Sequence, residues 1–273
     1  MTRTILAVLS LGLLAGLACS DLLRSEPDFT PFEDGIGYLE IEGTIADSRA
    51  AVRDIKYLEH HRQVRALLVR VESPGGGVTA SHEIYSELAR VRDDGMPLVV
   101  SMGTLAASGG YYVSLPADVI FANPGTLTGS IGVIMEFPMV EGLMDKLGLD
   151  VEVIKSRTHK DIGSPFRPMT DADRELLQDV VIDVYDQFVG LVVEERGLGE
   201  DEVRAIADGR ILTGRQAREL GLVDTLGTLE DARRLCAELA GLGPGARLIK
   251  PRKPLRMSWI DPVSYTHLTL PTN

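Results

Sequence analysis

The sequence predicts an α/β fold built on a mainly parallel sheet. Apolar runs of strand length alternate with longer segments of helical periodicity. Two of those runs, Ala66-Leu67-Leu68-Val69-Arg70-Val71 and Pro97-Leu98-Val99-Val100-Ser101-Met102, are almost continuously apolar, as strands covered on both faces are. Each is followed by a glycine-rich turn and then a segment of helical character: Ser73-Pro74-Gly75-Gly76-Gly77 after the first, Ser108-Gly109-Gly110 after the second. No repeat of 20–50 residues interrupts the alternation. A chain of 273 residues is long enough for a sizeable core, in one large domain or two small ones.

Gly35 to Ala46 reads as the first strand, its apolar positions being Ile36, Tyr38, Leu39, Ile41 and Ile45. Asp47 can cap a helix carrying Val52, Ile55 and Leu58 on one face. After the strand at 66–71, a helix runs from about Thr79 to Arg92, stopped by Gly95 and Pro97. The strand from Leu98 to Met102 and the serine turn follow, with Tyr111 to Ala117 opening a helix. Asp118 to Ala122 is a strand, Val140 to Leu147 a helix and Val151 to Ser156 a strand. A loop from Arg157 to Met169 precedes a long helix from Thr170 to Arg196. Short helices at Asp201–Ala207, Gly214–Leu220 and Leu229–Leu239, then a strand at Arg247–Ile249, complete the pattern.

The two ends are different. After Arg3, residues 4–20 carry no charge and are rich in Leu, Ala and Gly, which reads as a secretory signal sequence or an uncleaved membrane anchor over residues 1–20. Gly16-Leu17-Ala18-Cys19 resembles a bacterial lipoprotein cleavage box, with Gly16 and Leu17 departing from the usual residue types. Residues 21–34, with Pro27, Pro31 and several acids, read as a linker. Residues 251–273 read as a tail, and 263–273 share none of the patterning and resemble a translated cloning tail in place of a natural C-terminus.

Composition excludes several classes of function. A net charge of −12 with no Lys/Arg block argues against a nucleic-acid partner. The two cysteines, Cys19 and Cys236, do not suggest a structural disulfide, and no metal-ligand spacing is present, so neither metal nor cofactor is expected. The chemistry points to Thr104-Leu105-Ala106-Ala107-Ser108-Gly109-Gly110-Tyr111-Tyr112. A serine among alanines and glycines at a strand-to-helix turn suits a nucleophile, because small neighbours admit a substrate backbone and the following glycine frees an N–H for an oxyanion. The turn at 73–77 lacks the Lys-Ser/Thr of a nucleotide P-loop. At the end of a neighbouring strand it would converge on the same site.

A serine hydroxyl needs a base. His60 and His61 fall on a charged helix end, His82 reads as a surface or capping residue, and His267 lies in the tail. His159 is the histidine candidate, and beside it stands Lys160, whose amine serves as a base if desolvation lowers its pKa far below ~10.4.

Four segments in order resemble the signal peptide peptidase A family of membrane-bound serine peptidases (S49 type, also called protease IV). They are Ser73-Pro74-Gly75-Gly76-Gly77, Ala106 to Tyr112, Leu127-Thr128-Gly129-Ser130-Ile131-Gly132-Val133 and His159-Lys160-Asp161-Ile162. Ala207-Asp208-Gly209-Arg210 and Gly214-Arg215-Gln216-Ala217 add to the likeness, which runs from about Gly35 to Leu239 and matches the short, single-copy form. The resemblance implies a single ClpP/crotonase-like catalytic domain over residues 35–250. It implies that Ser108 is the nucleophile and Lys160 the general base, with Ser130 accepting a hydrogen bond from the lysine. Gly75, Gly76 and Gly109 are the candidates for the oxyanion hole. It further implies cleaved signal peptides and other unstructured peptides as substrates, and a homo-octamer in which neighbouring copies share each active site. The expected location is the bacterial inner membrane, with the catalytic domain on the extracytoplasmic side. Two rivals stand beside this reading: an acyl-CoA hydratase or isomerase on the same fold, using carboxylates, and a catalytically silent membrane scaffold.

Overall fold

The computed structural model describes residues 33–251. The expected leader and Cys19, most of the linker, His267 and the tail beyond residue 251 lie outside the described residues.

In chain order the elements are β1 (Gly35–Glu42), α1 (Arg49–Glu59), β2 (Val64–Ser73), α2 (Val78–Asp93), β3 (Leu98–Ala107), α3 (Gly109–Tyr112), β4 (Val119–Ala122) and β5 (Leu127–Gly129). They continue with α4 (Glu141–Leu147), α5 (Asp171–Arg196), α6 (Glu200–Ile206), β6 (Ile211–Thr213), α7 (Gly214–Glu219), β7 (Thr225–Leu226), α8 (Leu229–Leu239) and β8 (Arg247–Ile249). One sheet of order β6-β5-β3-β2-β1-β8 forms the frame, and every pairing is parallel except β5 with β6. This is the single mixed, mostly parallel α/β domain that the resemblance implies.

The apolar strands are continuous because both faces of the sheet are covered. Along β2, Leu67, Val69 and Val71 enter the larger core with Ile55 and Leu58 of α1 and Ile84 and Leu88 of α2. Ala66 and Leu68 point the other way, into a second core with Ala232 and Cys236 of α8. Each such aliphatic side chain, once buried, stabilises the fold by about 1.5–3 kcal/mol. That burial sustains the strained residues at the strand ends.

β3 is longer than expected and splits its pairings. Val99–Ser101 lie beside β4, while Leu105–Ala107 lie beside β5. The register between β2 and β3 shifts between Val71 and Ser73. There the Glu72 carboxylate accepts hydrogen bonds from the N–H groups of Thr104 (2.9 Å) and Leu105 (3.0 Å). A side chain thus supplies acceptors where the regular ladder is interrupted, and β3 runs on to the serine turn.

Several expectations are corrected. β1 stops at Glu42 because Gly43 turns the chain at φ +69°, leaving Ile45 to form one bridge with Gly76. Ser48, not Asp47, holds the cap position of α1, although the Asp47 carboxylate accepts from the Arg49 N–H at 3.1 Å. The helix expected at 111–117 begins at Gly109 and ends at Tyr112. Residues 151–156 form no strand: they are exposed, and no strand of the sheet pairs with them, so alternation alone does not make a ladder. The short strands β6 and β7 were not anticipated, each having too few residues to show a period.

Candidate active site

β2 and β3 are parallel neighbours, so the turns that follow them meet at one end of the sheet. Ser108 stands between β3 and α3 with φ 52° and ψ −119°, a conformation that costs an L-residue of this kind about 1–3 kcal/mol. The surroundings impose it. Its N–H donates to the Gly129 carbonyl (2.8 Å), its own carbonyl accepts from the Tyr112 N–H (2.9 Å), and the Thr128 hydroxyl donates to the Ala106 carbonyl (2.7 Å). Such a sharp strand-to-helix turn presents a side chain clear of its own backbone, the geometry that nucleophilic serines use. The Ser108 hydroxyl is half-buried and makes no hydrogen bond among the described residues.

Ser130 follows the Gly129 carbonyl that holds Ser108, and it too has a positive φ, 51°. Its N–H donates to the Arg210 carbonyl at 2.8 Å. The two serines therefore sit at the ends of paired strands, bridged by one backbone hydrogen bond.

The glycine turn after β2 closes the site from the other side. Gly75 has φ +100°, and a Cβ there would stand 2.5 Å from the Gly109 nitrogen and 2.9 Å from Ser108 Cβ. A Cβ on Gly109 would be 3.1 Å from the Gly76 nitrogen and 2.5 Å from Ser81 Oγ. Only glycine lets the two backbones approach this closely. The Gly75 N–H donates to Ser73 Oγ (3.0 Å), and the Gly77 N–H donates to the Ile45 carbonyl (2.8 Å). Gly76 and Gly109 are left with N–H groups that have no partner among the described residues, side by side next to Ser108. Two converging unsatisfied donors beside a hydroxyl can hold a developing oxyanion.

A cavity of about 50 Å³ opens at Ser108. Its wall comes from Val78, Ser81 and His82 of α2 and from Val184, Gln187 and Phe188 of α5, with Tyr112 and Val133 also lining it. That these two helices wall the serine was missed in the sequence, although both triplets have the i, i+3, i+4 spacing that puts residues on one helix face. His82 is exposed as expected, yet it forms part of this wall. Its ring nitrogens are engaged by other groups: Nδ1 shares a hydrogen bond with the Tyr112 hydroxyl (2.9 Å) and Nε2 lies 3.5 Å from Ser86 Oγ. Burial raises the Tyr112 pKa, which keeps that phenol protonated.

The two candidate bases lie elsewhere. Lys160 is exposed, on a turn in which its N–H donates to the Arg157 carbonyl (3.2 Å), and it is absent from the cavity wall. His159 Nδ1 sits 3.1 Å from the carboxylate of Asp173, whose side chain is only 2% exposed. Within one chain the structure therefore brings together Ser108, Ser130, Gly75, Gly76 and Gly109, and it leaves Lys160 and His159 outside. Among the described residues no His/Cys/Asp/Glu group has the arrangement to hold a metal ion.

Comparison with known proteins gives the following. The model of peptidase family S49 matches residues 90–243. A putative protease of Synechocystis sp. is 45% identical over 211 residues, covering 77% of this chain and 76% of its own length. A putative signal peptide peptidase of Enterococcus faecium is 37% identical over 207 residues, 71% of this chain and 60% of that protein. Protease 4 of Salmonella typhi is 41% identical over 180 residues, 66% of this chain and 29% of that protein. The chain thus spans less than two thirds of the length of the last two.

Proposed function

The chain belongs to peptidase family S49, and on that premise we propose that it is a serine endopeptidase acting through Ser108 as nucleophile and Lys160 as general base. The observation that carries the reading is the strained Ser108 turn facing the unsatisfied N–H groups of Gly76 and Gly109. Neutral Lys160 takes the Ser108 proton, and the oxygen adds to a peptide carbonyl. The Gly76 and Gly109 amides hold the tetrahedral oxyanion; Gly75 does not donate, because its N–H is committed to Ser73. The lysine ammonium returns the proton to the leaving amine. It then accepts one from the water that releases the acyl group, while Ser130 accepts a hydrogen bond from the lysine and steadies it.

Lys160 reaches Ser108 of a second copy in this proposal, within a homo-octamer. Two observations support it: Lys160 stands apart from the cavity of its own chain, and residues 134–154 expose large apolar side chains, among them Ile134 (80%), Leu147 (61%) and Ile154 (96%). Exposed apolar surface on this scale marks an interaction face. The same segment borders a recess of about 500 Å³ lined by Met135, Phe137, Met139, Leu177 and Val181. The narrow, mostly apolar cavity at Ser108 fits a small or apolar side chain beside the scissile bond. We take cleaved signal peptides and other unstructured peptides as the substrates, and the extracytoplasmic side of the bacterial inner membrane as the place of action. Among the described residues no helix is long and apolar enough to cross a membrane, so attachment is assigned to residues 1–20. The hydratase alternative requires carboxylates at the glycine turns, and the cavity wall carries none.

The test is mass spectrometry after treatment with a fluorophosphonate or a lipopeptide aldehyde. The adduct is expected on Ser108 in the wild type and on nothing in Ser108→Ala. Lys160→Ala should lose activity by orders of magnitude and His159→Ala should retain a substantial share. A label elsewhere, or the reverse order of the two variants, refutes the assignment.

A further inference from the structure

Resting on the assignment of Lys160 as base, we propose that Arg167 is a positioning residue for it, clamping the lysine loop to the first turn of α5. Beyond the lysine the loop is tied at Pro165, whose carbonyl accepts from the Val140 N–H (2.8 Å), but the stretch that leads to Lys160 is bare. Residues 150–160 are all exposed and lie in no helix or strand, so apolar packing does not fix where Lys160 stands.

The polar contacts around it converge on one guanidinium. Arg167 Nε and Nη2 donate to the two carboxylate oxygens of Asp161, both at 2.9 Å, a bidentate pair with the residue next to Lys160. Arg167 Nη1 donates to the Asp173 carboxylate at 2.7 Å and to the Pro168 carbonyl at 2.9 Å. Asp161 also accepts from Lys155 Nζ (2.7 Å), and Asp173 faces His159 Nδ1 (3.1 Å). Residues 155, 159 and 161, on both sides of Lys160, are thereby joined through two carboxylates to Arg167. Lys160 itself is left out of the cluster, its amine making no hydrogen bond or ion pair among the described residues.

The anchor at the other end is firm. Asp173 completes a capping box with Thr170, whose hydroxyl accepts from the Asp173 N–H at 3.1 Å while Asp173 accepts from the Thr170 N–H at 3.3 Å. α5 then carries this end into the core through Phe188, Val189 and Val192. A planar fork serves two carboxylates at once, which a lysine ammonium does not do in the same geometry. The Arg167 guanidinium, with Lys155 at Asp161 and His159 at Asp173, holds both carboxyls well below the usual carboxylate range. Both carboxylates therefore stay charged at any pH at which an amine can act as a base. An isolated exposed ion pair contributes little to stability. Its effect here is on position, and a displacement of about 1 Å at a catalytic group can cost about 10²-fold in rate.

The experiment uses the full chain with Arg167→Ala, Arg167→Lys and, in parallel, Lys160→Ala, measuring kcat and KM on a fluorogenic unstructured peptide, the rate of Ser108 labelling, and the unfolding midpoint. Arg167→Ala is expected to lower kcat by about 10–100-fold with KM within about twofold. Methylguanidinium, added well below denaturing concentrations, should restore part of that loss. Arg167→Lys should recover only a fraction. If Arg167→Ala does not fold or assemble, Asp161→Asn loosens the arm beside Lys160 while leaving the α5 cap intact, and the same kcat-only loss is required of it. A folded Arg167→Ala with wild-type kcat overturns the proposal, as does a loss that follows the unfolded fraction and resists rescue. If Lys160→Ala stays active, the base assignment itself falls and the positioning role with it. Loss in Lys160→Ala with none in Arg167→Ala removes the positioning role alone.

Discussion

Replacing Ser108 by glycine should make the protein more stable than replacing it by alanine, although both variants lack the proposed nucleophile. The reason is the backbone. At φ 52° and ψ −119° the Cβ of any L-residue is strained, and the cost is about 1–3 kcal/mol. Alanine keeps that Cβ and glycine removes it. Glycine also gains conformational freedom in the unfolded chain, which offsets the relief by about 0.5–1 kcal/mol. The balance favours Ser108→Gly over Ser108→Ala by roughly 0.5–2 kcal/mol. For a domain of this size a change of 1 kcal/mol moves the midpoint by about 2–4 °C, so the pair should differ by roughly 1–8 °C. Thermal and urea unfolding of the two variants at one subunit concentration makes the comparison, since association shifts apparent stability by mass action. Ser108→Gly proving less stable than Ser108→Ala would refute the claim that strain is stored at this turn for function.

Gly109→Ala should slow Ser108 labelling by at least about 10²-fold, the effect of losing one oxyanion donor, because its Cβ would press on the Gly76 nitrogen at 3.1 Å. Ser81 Oγ, only 2.5 Å from that Cβ, adds to the clash, so the double variant Gly109→Ala/Ser81→Ala should fold more stably than Gly109→Ala alone, measured by urea unfolding. Burial pushes the Cys236 thiol up to about 12, so native protein should resist iodoacetamide at pH 8 and react only on unfolding; rapid alkylation of the folded form would contradict the packing of α8 on the sheet. The depressed carboxyl of Asp173 contributes stability above its unfolded value of about 3.9, and that contribution is lost as pH falls toward the lower folded value. Asp173→Asn should therefore flatten the acid side of the stability profile below about pH 4, and an unchanged acid slope would show that the capping cluster contributes nothing.

Much of the Ser108 half of the candidate site was legible in the sequence, and the physical reason is that short-range chemistry builds it. β2 and β3 read as buried strands because their apolar runs serve two cores. Gly75, Gly76 and Gly109 announce close backbone approach, which the distances at those positions bear out. The positive φ of Ser108 and Ser130 was not legible, since serine carries no signal for it; hydrogen bonds from their N–H groups to the carbonyls of Gly129 and Arg210, distant in sequence, impose it. The cavity wall on α5 was obscured because Leu176, Val180 and Ile182 are apolar as well and exposed, so the helix shows no single apolar face. Residues 151–156 have the alternation of a strand, but alternation specifies a face and not a partner. Lys160 stood in the sequence as a neighbour of His159 that desolvation could make a base, and only the family resemblance singled it out, because a base is defined by its surroundings and nothing near it in sequence states what they are.

That asymmetry between the halves leads to a test of the proposed assembly. If Ser108 and Lys160 of each site come from adjacent copies, Ser108→Ala and Lys160→Ala are each inactive but not equivalent. In mixed assemblies some sites combine the intact serine of a Lys160→Ala chain with the intact lysine of a Ser108→Ala chain. With equal amounts and random placement around a closed ring, half of the positions offer the serine and half of their neighbours the lysine. About a quarter of wild-type activity should return. Co-refolding or co-expression of the two variants, with turnover read on the fluorogenic peptide, measures it. Should each chain supply its own base, mixing restores nothing, because every serine that survives is paired with the alanine of its own chain. Zero recovery from verified mixed oligomers would confine the site to one subunit, and the exposed loop at 150–160 would then have to fold back onto its own cavity.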